Sequence, residues 1–199
     1  MEIVELHPGV PYPSVLRGLD RPAWRAGVGI VMALGLYVLV VPLVSSGVLG
    51  TGYALQKPAE SLSAYEAAGR RLEHPVGMLA GNLGLASLTL VAWFSVWTIH
   101  RVRPRWLSSV QPGLRWRYLL LCGGAAVVVL GSVLVVTSVT GPGLAWAPQK
   151  QLAGFLVVIV LSSPLQAAAE EHLFRGYLLQ AMGSLVATPW FGVVASARC

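Results

Sequence analysis

Four long apolar runs divide this chain, separated by polar segments rich in Pro, Gly and Arg. The first extends from Ala26 to Leu49, the second from Val76 to Ile99 and the third from Leu119 to Val139. The fourth opens at Ala153 and continues to Ala197. Runs of about 20 apolar residues match a hydrocarbon layer of about 30 Å. In lipid every backbone polar group must be satisfied within the segment, so such runs span as helices. The pattern predicts an all-α fold, a polytopic membrane helical bundle of about four full spans. A fifth segment restarts at Pro189-Trp190 and ends ten residues later, too short to span.

The polar segments set the organisation. Residues 1–25 carry four prolines and the cations Arg17, Arg21 and Arg25, and they read as an N-terminal tail. Residues 26–152 hold the first helices and loops, and residues 153–199 form the remaining part. Ala26 to Leu49 exceeds the ~7–15 residues of a signal-peptide core, so this helix is expected to be kept. Pro42 is expected to kink it. In the connection from Thr51 to Pro75, Leu62, Tyr65, Ala68 and Leu72 recur near helical spacing, which predicts a short helix along the membrane surface. Gly77, Ala80, Gly81 and Gly84 give the second span a small-residue face for close helix approach, and Asn82 reads as interhelical glue.

Charge fixes orientation. The tail and the loop from His100 to Arg117 carry eight Lys and Arg, against four in the other two loops. The amino terminus is therefore expected to be cytoplasmic, in a multi-pass protein of the cell membrane. Only 11% of the residues are charged and 55% are hydrophobic, far from the roughly one quarter charged in a soluble domain. The net charge of +6 sits beside the apolar runs in place of a separate basic domain, which argues against nucleic acid as a partner. The lipid bilayer is the expected partner. Cys122 and Cys199 offer neither a disulfide framework nor metal-ligand spacing.

Within the fourth run the only charged side chains are Glu170, Glu171 and Arg175. An ionisable group at membrane depth is costly unless it is paired or meets water, so it marks a candidate site. Entering from the outside at Ala153, the helix brings Glu170 roughly 25 Å along its axis, buried but near the cytoplasmic face. Glu171 and Arg175 are i,i+4 neighbours with the acid first, the favourable order for an ion pair. Glu170 points about 100° away, at the end of a stripe formed with Ser162, Ser163, Gln166 and, by α-helical register, Tyr177. Burial raises the pKa of a carboxyl, which suits a general base near neutrality. Pro164 is expected to loosen the helix beside the stripe. The spacing also accommodates a reading without chemistry, in which Glu171 and Arg175 lock helix packing.

The run Glu170-Glu171-His172-Leu173-Phe174-Arg175, followed by Gly176-Tyr177-Leu178-Leu179-Gln180, resembles the E-E-x-x-x-R motif of the CPBP intramembrane proteases. This family comprises the CAAX-processing and bacteriocin-processing, or Abi, proteins, with the type-II prenyl endopeptidases among them. The resemblance covers about Ser162 to Ala195. It implies an endopeptidase that hydrolyses a peptide bond of a membrane-associated peptide or protein substrate. Glu170 would activate the attacking water, and Glu171 and Arg175 would support and position it. The family's usual name, metalloprotease, adds a divalent metal such as zinc with Glu170 as a ligand, although H-E-x-x-H is absent. The later family motifs F-x-x-x-H and H-x-x-x-N/D are absent too: Phe191 is followed four residues on by Ala195. None of His7, His74, His100 and His172 fills the gap. His100, beside Arg101, is expected at the interface, and His172 is expected to point away from Glu170. The chain is thus expected to be a truncated family member, incomplete as an enzyme alone, with a non-catalytic immunity or adaptor protein as the alternative. A proton-coupled carrier ranks last, since no second half resembles Ser162 to Gln180.

Overall fold

The computed structural model describes residues 12–16, 22–107, 116–141 and 150–185. The elements among the described residues are all helical, with no strand. A 3-10 turn at Tyr12–Ser14 precedes α1 (Trp24–Gln56), α2 (Leu62–Arg70), α3 (Pro75–Ala86) and α4 (Leu88–Ser95). α4 continues into a π-helical turn, π1 (Val96–His100), and a 3-10 turn at Pro104–Leu107 follows. Next come α5 (Trp116–Thr140), α6 (Leu152–Glu170), the π-helical segment π2 (Glu171–Leu178) and α7 (Leu179–Leu185). The restarted run beyond Leu185 lies outside the described residues, as does most of the tail.

Four stretches are long and apolar enough to cross a bilayer: Trp24–Gln56, Pro75–His100, Trp116–Thr140 and Leu152–Leu185, with mean hydropathies of 2.5, 1.6, 2.7 and 2.0. The chain is a helical membrane protein. It divides into two compact units, 1–110 with 151–199, and 111–150.

The smaller unit contains α5. Its hydroxyl side chains are satisfied by their own helix: Ser132 donates to the Val128 carbonyl at 2.7 Å and Thr137 to the Val133 carbonyl at 2.8 Å. A span carrying Ser and Thr this way exposes no unsatisfied donor to hydrocarbon.

In the larger unit α3 packs against both α1 and α6. Lipid tails are as apolar as the helix surfaces, so close backbone approach and interhelical hydrogen bonds hold such contacts. Gly84 lies against the Ser45 hydroxyl and the Val41 carbonyl of α1, and Gly77 against the backbone of Gly69 in α2. Ala80 is buried between them, whereas Gly81 faces open space, so the small-residue face is narrower than the sequence suggested. The main core gathers Ala33, Leu88, Ala92, Val96, Ala169, Leu173, Tyr177 and Ala181, each 1% exposed or less.

Three local features differ from the sequence reading. α1 continues seven residues past Leu49, to Gln56, with Pro42 inside it. It ends where Lys57 turns left-handed (φ 45°) and returns its N–H to the Tyr53 carbonyl, with Pro58 next. The surface helix forms over Leu62–Arg70, but of the four periodic residues only Tyr65 is deeply buried, and Leu72 lies beyond the helix at φ 58°. α6 runs through Pro164 as well, and its irregularity comes after the proline, at π2.

The start of α3 shows how local chemistry places these pieces. Pro75 occupies the first turn, where a missing N–H costs nothing. His74 caps the helix: its Nδ1 accepts from the Gly77 N–H at 3.1 Å, and its Nε2 donates to the Tyr65 carbonyl at 3.2 Å. Its ring also stacks on Tyr65, centroids 4.3 Å apart, which fastens α2 over the α1–α3 end of the bundle.

Candidate functional site

α6 and π2 form one rod that carries every residue of the candidate site. Glu170 ends α6 and is half-buried. Glu171 opens π2, and Arg175 Nη1 lies 3.0 Å from Glu171 Oε1, so the expected ion pair forms. Both of its side chains are exposed, at 76% for Arg175 and 56% for Glu171. Among the described residues the pair therefore stands on the outer surface of the rod, uncovered by neighbouring helices, and Glu170 is partly covered.

The polar stripe is real but split. Asn82 of α3 donates its side-chain amide to Ser162 at 2.8 Å and Ser163 at 3.2 Å. Ser162 in turn donates to the Val158 carbonyl at 2.6 Å. The upper part of the stripe is therefore consumed in joining α3 to α6. The lower part is separate: Gln166 Nε2 donates to Glu170 Oε1 at 3.3 Å, one helical turn apart. Glu170 Oε2 holds no hydrogen bond among the described residues.

Tyr177 does not extend the stripe. The wider winding of π2 moves residues after Glu171 out of α-helical register. Tyr177 is instead fully buried, its hydroxyl 3.4 Å from His100 Nε2 and packed on Gly29 of α1. His100, expected at the interface, is 3% exposed. Two π-helical segments thus meet at a Tyr–His contact, and Gly29 lets α1 close over it. His172 turns away from Glu170 as expected, its Nδ1 2.6 Å from the Ala168 carbonyl and its ring 6.5 Å from that of Trp93.

Residues not singled out as site residues also hold the motif rod. A Cβ on Gly176 would meet the Leu107 carbonyl at 2.9 Å, so the motif glycine admits the 104–107 turn. Gln180 is fully buried, and its amide donates to the Trp106 carbonyl at 3.1 Å. The tail turn reaches the same place. Tyr12 donates to the Leu107 carbonyl at 2.6 Å, Val15 and Leu16 are buried, and the Pro13 carbonyl abuts Gly183. Burial pushes the Tyr12 hydroxyl pKa up, a bond with Gln180 opposes this, and the charge of Glu171 adds to it. The polar composition of 1–25 concealed this anchor, because its two buried aliphatic residues lie inside a Pro- and Arg-rich segment.

Among the described residues no three of His, Cys, Asp and Glu converge as metal ligands. His74 caps α3, His100 meets Tyr177 and His172 meets Ala168, so no described histidine joins Glu170. The described donors do not fit a zinc site at Glu170. The chain matches no protein-family model, no curated protein and no solved structure.

Proposed function

We propose that the α6–π2 rod is the glutamate-bearing element of a CPBP-type membrane endopeptidase. One observation carries this reading: adjacent glutamates have different partners. Glu171 is engaged by Arg175, whereas Glu170 accepts one amide on Oε1 and, among the described residues, keeps Oε2 unbonded. Glu170 Oε2 takes a proton from water, and the resulting hydroxide attacks the substrate carbonyl carbon. Arg175, held by Glu171 through Nη1, supports and positions this end of the rod for the reaction. The proton then passes to the amide nitrogen as the C–N bond breaks. General acid–base help of this kind contributes about 10²–10⁴ in rate. In this reading the basic tail and the 100–117 loop face the cytoplasm and the substrate is membrane-associated.

A non-catalytic membrane adaptor is the second reading, favoured by the absence of any described histidine beside Glu170. Cleavage separates the two. The full chain in proteoliposomes is incubated with a membrane-anchored reporter peptide. Wild type cleaves it, and Glu170→Gln cleaves at least about a hundredfold more slowly. Equal cleavage by Glu170→Gln overturns the proposal, and a wild type that cleaves nothing assigns this chain, as it stands, to the adaptor reading.

A further inference from the structure

A groove of about 510 Å³ lies between α1 and α3, far along α1 from the residues that touch Tyr177. Val44, Val48 and Leu55 of α1 and Val76 and Leu79 of α3 give it apolar walls. The two polar side chains that reach it are already engaged: Thr51 donates to the Gly47 carbonyl at 2.8 Å, and Gln56 accepts from the Tyr65 hydroxyl at 3.1 Å. Its walls therefore offer mainly apolar contact, with the polar side chains of Thr51 and Gln56 each holding a hydrogen bond to the protein.

Length identifies the occupant. From Val44 to Gln56 the groove follows α1 for about 18 Å at 1.5 Å per residue. One leaflet of a ~30 Å hydrocarbon layer is about 15 Å deep. The groove thus matches a single lipid chain lying along the helix. Its floor is also open, since a Cβ on Gly47 would meet nothing within 4 Å. Helix α1 accepts a residue costing about 1 kcal/mol relative to Ala there, without using it for helix contact.

Charge marks the end. Gln56 is the last residue of α1 in the lining, and Lys57 follows it at the helix terminus, exposed and, among the described residues, without an ion pair. The other cations of this connection are neutralised: Arg70 lies 3.5 Å from Glu66 and Arg71 lies 3.3 Å from Glu73. We propose that this groove seats one acyl chain of a bilayer phospholipid, with the lipid phosphate at Lys57.

Native mass spectrometry of the full chain, released from micelles containing dioleoyl phosphatidylglycerol, tests this. Wild type and Gly47→Ala retain one phospholipid per chain. Gly47→Trp fills the groove and lowers the lipid-bound fraction at least tenfold, and Lys57→Gln lowers it severalfold. Circular dichroism checks that the variants keep their helix content. If Gly47→Trp misfolds, Thr51→Phe blocks the same groove from its wall and carries the test. Retention unchanged in a folded groove-filling variant overturns the proposal, as does a wild type carrying no lipid. A dimer of wild type that groove filling dissociates would assign the surface to a second copy and overturn it equally.

Discussion

The Gln166 side-chain amide donates to Glu170 Oε1 across 3.3 Å, one turn back on the same helix. This bond fixes the rotation of a carboxylate whose other oxygen is open. Removing it costs orientation without removing the base. Gln166→Leu is expected to lower the cleavage rate up to about tenfold, the upper end of the about 0.5–1.5 kcal/mol of one hydrogen bond. Gln166→Glu, which sets a second carboxylate against the first, lowers it further. Initial rates in proteoliposomes check the order.

Asn82 joins α3 to α6 through two serines. Hydrogen bonds between membrane helices average about 0.6 kcal/mol and reach about 1.7. Asn82→Leu is expected to destabilise the fold by about 1 kcal/mol, because the freed hydroxyls can bond their own helix, as Ser162 already does. Asn82→Asp costs more, since it adds a buried charge. Unfolding in mixed micelles with increasing dodecyl sulfate measures both.

Gly29 sits where any side chain would strike the Tyr177 hydroxyl and approach His100 Nε2 at 3.2 Å. Gly29→Ala is expected to cost about 1–3 kcal/mol through overpacking. Tyr177→Phe removes the struck atom, so the double variant should be more stable than the two single losses added together. A coupling of about 0.5–3 kcal/mol is expected from residues in contact. Strict additivity would show that the three-helix contact is not formed as described.

His74 holds α3 by its Nδ1 and α2 by its Nε2. His74→Ala is expected to cost about 1 kcal/mol through the lost cap, with a further loss from the Tyr65 stacking. His74→Asn, which can still cap, recovers the first part only. Thermal unfolding in detergent separates the two.

The spans were legible in the sequence because lipid demands uninterrupted apolar helices, and the runs at 26–49, 76–99, 119–139 and from 153 onward answer that demand directly. The Glu171–Arg175 pair was legible too, since i,i+4 spacing is local. The π winding at Glu171–Leu178 was not, because no residue type marks it. It therefore displaced Tyr177 from the stripe into the core. The partners of Asn82 and His100 were hidden for another reason. Those contacts join residues 80 and 77 positions apart, and periodicity along one helix says nothing about which neighbour faces it. The extension of α1 to Gln56 escaped because Thr51 and Gln56 read as polar loop, while the structure engages both side chains in hydrogen bonds.

The account rests on water reaching Glu170 in a helix that crosses the bilayer. The direct measurement is the reaction of a membrane-impermeant maleimide with Glu170→Cys in sealed proteoliposomes, with Cys122 and Cys199 replaced by Ser and Leu165→Cys as a lipid-facing control. Labelling of position 170 from the side bearing the 100–117 loop, with position 165 unreactive, is the predicted result. Position 170 as unreactive as position 165 would contradict the account.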